Sequence, residues 1–377
     1  MKIVALKERV KDEQRVALTP DIVKLLVKRK HNVFVEKDIG LAANFTDSSY
    51  VEAGARISNV PLEIISDADI ILKVQTSPLV GEINEINLAK TGAIIIGMMK
   101  PYENSEYITK ACKKKLSLIA MEFVPRITKA QSMDVLSSQN NLAGYRAVIE
   151  ACYHYDQILP MMTTAAGTIK PAKILILGVG VAGLQAIATA KRLGAIVAAY
   201  DVRPATKEQV ESLGGKFIFP ETKMENAEDK SGYAKELDKN FAATQEKFLS
   251  EQLVDYDIII TTAQIPGKKA PLLIKKTMIE KMKTGSIIID MATSSGGNVE
   301  GSAIDKIVIK KGVKIIGWTN FATKLAHDSS KLYSRNLYNL LEYAISKDNK
   351  INFNDEVLKE MLITKDGKIV SKKIQGV

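Results

Sequence analysis

Lys173-Ile174-Leu175-Ile176-Leu177-Gly178-Val179-Gly180-Val181-Ala182-Gly183 is the stretch whose reading decides the fold. Ile174 to Leu177 is an unbroken apolar run ending at a glycine turn, as expected of a strand buried on both faces. A helix from about Gly183 to Leu193 follows, and a second strand, Ile196 to Tyr200, ends at Asp201. Each glycine has a task in such a unit: Gly178 permits the tight turn, Gly180 lets the backbone approach a pyrophosphate, and Gly183 lets the helix pack closely on the strand. The helix N-terminus would offer backbone N–H groups and the positive end of its dipole to the phosphates. An acid about 20 residues further on suits ribose hydroxyls. Three spaced glycines alone are weak evidence; with the strand before, the helix after and Asp201 in place, the pattern implies a dinucleotide site. Its candidate residues are Gly178, Val179, Gly180, Val181, Ala182, Gly183, Asp201, Val202 and Arg203. A carboxylate at Asp201 would repel a 2′-phosphate and favours NAD(H) over NADP(H). Arg203 pulls the other way, since an arginine in this turn can accept a phosphate.

Outward from this unit the alternation of strand and helix continues. Apolar runs at Ile258 to Thr262, Ser286 to Asp290 and Val313 to Gly317 read as further strands of the same sheet. The loops after the first two, Ala263-Gln264-Ile265-Pro266-Gly267 and Gly296-Gly297-Asn298, leave carboxyl ends of strands, where ligands lie in open α/β sheets. They read either as walls of a nicotinamide pocket or as ordinary turns; Ala263 and Gln264 are the candidate contacts. Towards the N-terminus, Lys2 to Leu6, Asn32 to Glu36, Ile70 to Val74 and Gly92 to Met98 read as strands. Helices open at Thr19-Pro20, with threonine as cap and proline at the first helical position, and span Ser105 to Lys113. A helix from about Leu142 to His154 would link this domain to the next, and one from about Tyr333 to Ser346 would return to it. The expected fold is α/β: two Rossmann-like domains with parallel sheets, joined by long helices and separated by a cleft. The expected boundaries are 1–135 with about 328–377, and 136–327. Between Phe219 and about Ser250 the pattern fails, so this stretch reads as a disordered insertion or a functional lid. Residues after about Leu362 read as a polar, lysine-rich tail.

Bulk properties exclude several classes. A chain of 377 residues calls for about two domains. Its 46% hydrophobic and 25% charged residues are ordinary for a globular protein. No apolar run reaches the roughly 18 to 20 residues of a bilayer span, and the N-terminus has neither an apolar core segment nor a cleavage site. The net charge of +10 invites a nucleic-acid reading, but the lysines are scattered and Lys113-Lys114-Lys115 is typical of the short clusters. Cys112 and Cys152 lack metal-ligand spacing and read as reduced thiols. His31, His154 and His327 form no metal motif, so no zinc site is expected.

Several further segments carry a resemblance. Glu13-Gln14-Arg15-Val16-Ala17-Leu18-Thr19-Pro20 resembles the opening of the alanine dehydrogenase and nicotinamide nucleotide transhydrogenase superfamily. Pro125-Arg126-Ile127-Thr128-Lys129-Ala130-Gln131-Ser132-Met133-Asp134 resembles, more narrowly, the Arg-Gln-Asp loop of the NAD(H)-binding component of proton-translocating transhydrogenase. The likeness continues through Leu136 to Gln139, Asn141 to Val148, Met162 to Thr168, Gly178 to Gly194, Gly232-Tyr233-Ala234-Lys235 and Ile265-Pro266-Gly267. It implies that Gln131 bridges toward the nicotinamide ribose, that Arg126 and Asp134 hold the loop and the carboxamide end, and that Ser137 belongs to the same site. It also implies a lid over residues 219–250, with Gly232 and Tyr233 contacting the nucleotide. By the same resemblance this would be a homodimeric, peripheral component on the inner face of the cytoplasmic membrane. It would be active only with membrane-spanning partner subunits, alpha-2 and beta, the latter holding NADP(H).

Two departures separate the chain from alanine dehydrogenase, which must move a proton as well as a hydride. That enzyme's catalytic histidine would fall near Lys100 and its catalytic aspartate near Ser294. Arg15 and Lys73, by contrast, match its substrate-side residues, and read here as a retained scaffold pair. Hydride passage from NADH to NADP⁺ changes no heteroatom's protonation at the transfer point and needs only positioning of two rings. The expected function is therefore the NAD(H)-binding component of a transhydrogenase. The alternatives are a soluble alanine dehydrogenase-type enzyme and a non-enzymatic NAD-binding regulatory module.

Overall fold

The computed structural model describes residues 1–80, 83–220 and 239–374. In chain order its strands are β1 (Lys2–Ala5), β2 (Asn32–Glu36), β3 (Arg56–Ser58), β4 (Ile70–Gln75), β5 (Ile94–Met98) and β6 (Ser117–Ala120). Next come β7 (Met162–Thr164), β8 (Gly167–Ile169), β9 (Lys173–Leu177), β10 (Ile196–Tyr200), β11 (Lys216–Phe217) and β12 (Ile258–Thr261). The last are β13 (Ile287–Asp290), β14 (Ile307–Lys310), β15 (Val313–Ile316), β16 (Leu362–Lys365) and β17 (Lys368–Ile369). The chain divides into two compact units, one of Met1–Gln139 with Ala322–Val377 and the other of Asn140–Phe321.

In the first unit, eight described strands form one sheet in the order β17-β16-β6-β5-β4-β1-β2-β3. β1 to β6 run parallel, and β16 and β17 extend the β6 edge antiparallel. Side chains along β4 alternate between layers, as a period of two requires. Ile70, Leu72 and Val74 pack in one apolar cluster with Ile3, Tyr333, Leu337 and Leu341. Ile71 packs in the other with Ile64, Ile95, Tyr107 and Leu118.

The second unit holds a seven-stranded sheet in the order β11-β10-β9-β12-β13-β15-β14, parallel except for the edge strand β14. Taking β9 as its first strand, the parallel portion runs three-two-one-four-five-six, the order of dinucleotide-binding sheets. The order reverses between β9 and β12, so a crevice opens beyond their carboxyl ends. Burial on both faces explains the unbroken apolar run: Ile174 and Ile176 enter one core layer, Leu175 and Leu177 the other.

Three expectations need correction. The linking helix begins at Val135 rather than Leu142 and runs to His154; its weak amphipathic pattern hid the first two turns. A portion of the Phe219–Ser250 stretch is regular, a helix from Lys239 to Gln252. Its polar composition concealed a narrow apolar stripe, in which Leu249 and the following Leu253 are fully buried. The C-terminal segment is not a polar tail at its start. β16 lies against β6, with Ile363 and Thr364 wholly buried. The Thr364 hydroxyl donates to the Leu116 carbonyl at 2.8 Å and accepts the Leu118 N–H at 3.2 Å. A four-residue strand paired with one some 240 residues away leaves no local periodicity to read. Gly232 and Tyr233 lie outside the described residues.

Candidate functional site

The glycine turn is built by hydrogen bonds from three strand ends. Gly178 has φ +99°, where a side chain would be strained, and its N–H donates to the Tyr200 carbonyl at 2.9 Å. The Thr262 hydroxyl, just past β12, donates to the Gly178 carbonyl at 2.9 Å. The helix Val181–Arg192 then starts with Gly180 as its cap residue. A Cβ on Gly183 would stand 2.0 Å from the Gly178 carbonyl oxygen, whereas a Cβ on Gly180 would meet nothing within 4 Å. Gly183 is therefore required by packing, and Gly180 faces open space. Val181 is exposed at the helix start, while Ala182, Gly183, Ala186 and Ala190 bury the helix against the sheet. The first N–H groups of this helix have no intrahelical acceptors and, with the dipole, favour an anion.

Asp201 follows β10 and is nearly fully buried. Its Oδ2 accepts the Val179 N–H at 2.7 Å and Arg203 Nη2 at 2.8 Å, while Oδ1 accepts both the N–H and Nε–H of Arg203 at 2.9 Å. Val202 packs against the core beside Tyr200. The loops after β12 and β13 are tied together. Gln264, exposed, donates to the Met291 carbonyl at 3.0 Å. Asn298 Nδ2 donates to the carbonyls of Ala263 and Pro271 at 2.9 and 2.8 Å. Sequence reasoning missed what holds them. Asp290, with no exposure, accepts the N–H groups of Ala292, Asn298 and Val299 and lies 3.3 Å from the Thr261 hydroxyl. Gly296 and Gly297 between these anchors both have positive φ. A strand-terminal aspartate followed by paired glycines was the available signal.

In the first unit the segment from Pro125 to Asp134 forms a 3-10 turn, Thr128–Met133, pinned by buried Ala130 and Met133. Arg126 and Gln131 are exposed. Asp134 and Ser137 are drawn to each other: the Asp134 carboxylate accepts the Ser137 N–H at 2.9 Å and its hydroxyl at 2.5 Å. This caps the helix Val135–His154, so both residues set the entry of that helix. Asn336 and Asn339 donate to the Ser132 carbonyl and fix the turn from behind.

Arg15 and Lys73 are buried and already paired. Arg15 donates Nε and Nη2 to Glu13 at 2.8 and 2.6 Å and Nη1 to Gln139 at 2.7 Å. Lys73 Nζ lies 3.1 Å from the Lys7 carbonyl and 3.5 Å from Glu8. Burial pushes Glu8 up to about 7 against the pull of Lys73 and the N–H groups of Val74 and Gln75. Burial also acts on Glu13, but the charge and hydrogen bonds of Arg15 outweigh it and bring that carboxyl down to about 2. Lys100 has φ +46° and donates its N–H to Glu122 at 2.6 Å, and Ser294 sits in the short turn Thr293–Ser295.

A parallel sheet with this strand order and a glycine turn at its reversal point defines a dinucleotide-binding α/β protein. Comparison with known proteins makes this specific. Residues 4–143 match the alanine dehydrogenase/PNT N-terminal domain and residues 147–372 the alanine dehydrogenase/PNT C-terminal domain. In Rickettsia prowazekii the alpha subunit of NAD(P) transhydrogenase is named in separate parts, and the chain is 63% identical over 371 residues to the first of them, covering 98% of this chain and 96% of that one. A transhydrogenase structure from Sinorhizobium meliloti superposes with a TM-score of 0.87 at 44% identity, covering 98% of this chain and all of that one. An L-alanine dehydrogenase structure, at 23% identity and a TM-score of 0.81, shares the fold across 100% of this chain and 98% of that one. The chain belongs to the alanine dehydrogenase/PNT family, and it is a transhydrogenase component within it. Among the described residues no helix is long and apolar enough to cross a membrane.

Proposed function

We propose that this chain binds NAD(H) at the Gly178–Gly183 turn and passes its hydride to NADP⁺ held on a partner subunit. NADH and NADP⁺ become NAD⁺ and NADPH, and membrane-spanning alpha-2 and beta subunits couple the exchange to proton translocation. The observation that carries this reading is the complete nucleotide turn within a chain so similar, over nearly its full length, to the leading portion of a transhydrogenase alpha subunit. That relative's name speaks of a divided subunit and hence of other subunits. In this reading the N–H groups from Gly180 to Gly183 hold the pyrophosphate and Asp201 takes the adenosine ribose. Val202, Arg203, Ala263 and Gln264 line the site, with Gly232 and Tyr233 as further contacts. Gln131, Arg126, Asp134 and Ser137 serve the nicotinamide end, orienting the reduced ring so that one face is offered to the acceptor. No proton donor is required at the transfer point, in keeping with Lys100 and Ser294 where an amino-acid dehydrogenase has its histidine and aspartate. The engagement of Arg15 and Lys73 with Glu13 and Glu8 supports their role as scaffold.

The protein would act as a homodimer bound to the inner face of the membrane through its partners. The hairpin β7–β8 is exposed throughout, including Met162 and Ile169, as is Met161 before it, and offers apolar surface for a second copy. Mixing the purified chain with a separately prepared NADP(H)-binding domain tests the reaction. Rapid exchange between NADH and an NADP⁺ analogue is expected only in the mixture. L-Alanine-dependent formation of NADH by the chain alone would overturn the proposal in favour of an alanine dehydrogenase.

A further inference from the structure

The Asp201 carboxylate is saturated. A carboxylate offers about four acceptor positions, and here all four are occupied: two by backbone N–H groups, of Val179 and Arg203, and two by the Arg203 guanidinium. The backbone pair is fixed by the turn itself. The guanidinium is the group that can leave, because the Arg203 carbonyl is anchored by both the N–H and the hydroxyl of Thr206 at 3.2 and 2.7 Å. The main chain stays while the side chain swings. An adenosine ribose presents two hydroxyl donors, and a strand-terminal aspartate receives them. They require the two positions Arg203 now holds.

From this we infer that Arg203 is the nucleotide-selecting residue of the site. Its guanidinium docks on Asp201 and is displaced by a ribose diol. It is withheld from a 2′-phosphate for as long as Asp201 keeps its carboxylate. The inference rests on the reading of this turn as the NAD(H) site. It resolves the opposed signals of Asp201 and Arg203 in the sequence: an arginine in this turn anchors a 2′-phosphate only when its charge is available. Here that charge is spent on Asp201, where it also neutralises a buried carboxylate that would otherwise stand uncompensated. The guanidinium is thus at once a counterion and a competitor of the ribose.

Four forms test this: the natural chain, Arg203→Met, Asp201→Ser and the double variant. Binding of NADH, NADPH and reduced nicotinamide mononucleotide, which lacks the adenosine half, is followed by nucleotide fluorescence. Arg203→Met should bind NADH about two- to fivefold more tightly, as expected for releasing a partly exposed ion pair, with mononucleotide binding unchanged. Asp201→Ser should lose at least about tenfold for NADH and gain a similar factor for NADPH, and the double variant should lose that gain. Unchanged or weaker NADH binding by Arg203→Met overturns the competition, and this arm stands even if Asp201→Ser fails to fold. A gain for NADPH that persists in the double variant overturns the withheld-arginine account. If the natural chain binds no NADH, or if none of the substitutions alters any affinity, it is the assignment of the nucleotide site that falls.

Discussion

Replacing Gly183 by alanine tests the close approach on which the nucleotide turn depends. The added Cβ would lie 2.0 Å from the Gly178 carbonyl oxygen and 3.0 Å from its carbon. Ordinary carbon–oxygen contacts exceed 3 Å, so helix and turn must separate by about 1 Å or more, and both partners are backbone. Overpacking of this kind costs about 3 kcal/mol. Alanine returns up to about 1 kcal/mol through its higher helix propensity, leaving a net loss of about 2 kcal/mol. Urea unfolding reads this directly. Trp318 is the chain's one tryptophan and packs against the core of the same unit, with Nε1 3.3 Å from Glu150, so its fluorescence follows that unit. With a slope of about 2 kcal/mol/M the midpoint should fall by about 1 M. Gly180→Ala is the contrasting control. Gly180 has an extended backbone, φ −83° and ψ −167°, and open space beyond its Cα. Its midpoint should stay within about 0.5 M, while NADH affinity drops at least about tenfold as the methyl blocks the pyrophosphate. A natural midpoint for Gly183→Ala would refute the packing argument. Undiminished NADH binding by Gly180→Ala would refute the assignment of the open face.

Other substitutions probe what lies around the site. Asp290→Ala strands three buried N–H donors and should lower stability by about 3 kcal/mol in the same fluorescence assay; a loss below about 1 kcal/mol would show that the loop holds itself. Glu8→Gln should flatten the pH dependence of stability between about pH 5 and 7. The folded-state value of Glu8, about 7, lies above its ordinary 4.5, so its contribution is complete below 4.5 and is lost as pH rises through 7. Glu13 acts in the opposite sense and lower down, its contribution present above 4.5 and lost as pH falls through about 2. The difference in unfolding free energy between variant and natural protein should therefore change by about 2 to 3 kcal/mol across pH 5 to 7; parallel profiles would contradict the placement of Glu8. Truncation after Met361 removes β16 and should cost the first unit more than about 4 kcal/mol, since Ile363 and Thr364 are wholly buried. Natural stability of the truncated chain by calorimetry would restore the reading of that segment as a tail.

What the amino-acid order determined is whatever depends on neighbours along the chain. The run from Ile174 to Leu177, three spaced glycines, a helix and a second strand ending at Asp201 announce a dinucleotide-binding unit. Each of those signals is a local period or a local turn requirement. The strands at 32–36, 173–177 and 196–200 are legible for the same reason. Tertiary structure alone decided the rest. The segment after Met361 becomes a strand because β6 lies beside it. The polar stretch from Lys239 becomes a helix because Leu249 and Leu253 find a core. The commitments of carboxylates are likewise invisible in a string of letters. Asp290 gathers N–H groups from residues two to nine positions ahead, Glu13 neutralises Arg15 inside the protein, and Glu8 faces Lys73 there. Asp201 and Arg203 stand two residues apart, yet the sequence could only set their charges against each other. In the folded turn both act on one set of four acceptor positions, because buried charges are stabilised by the partners that three-dimensional packing brings within reach.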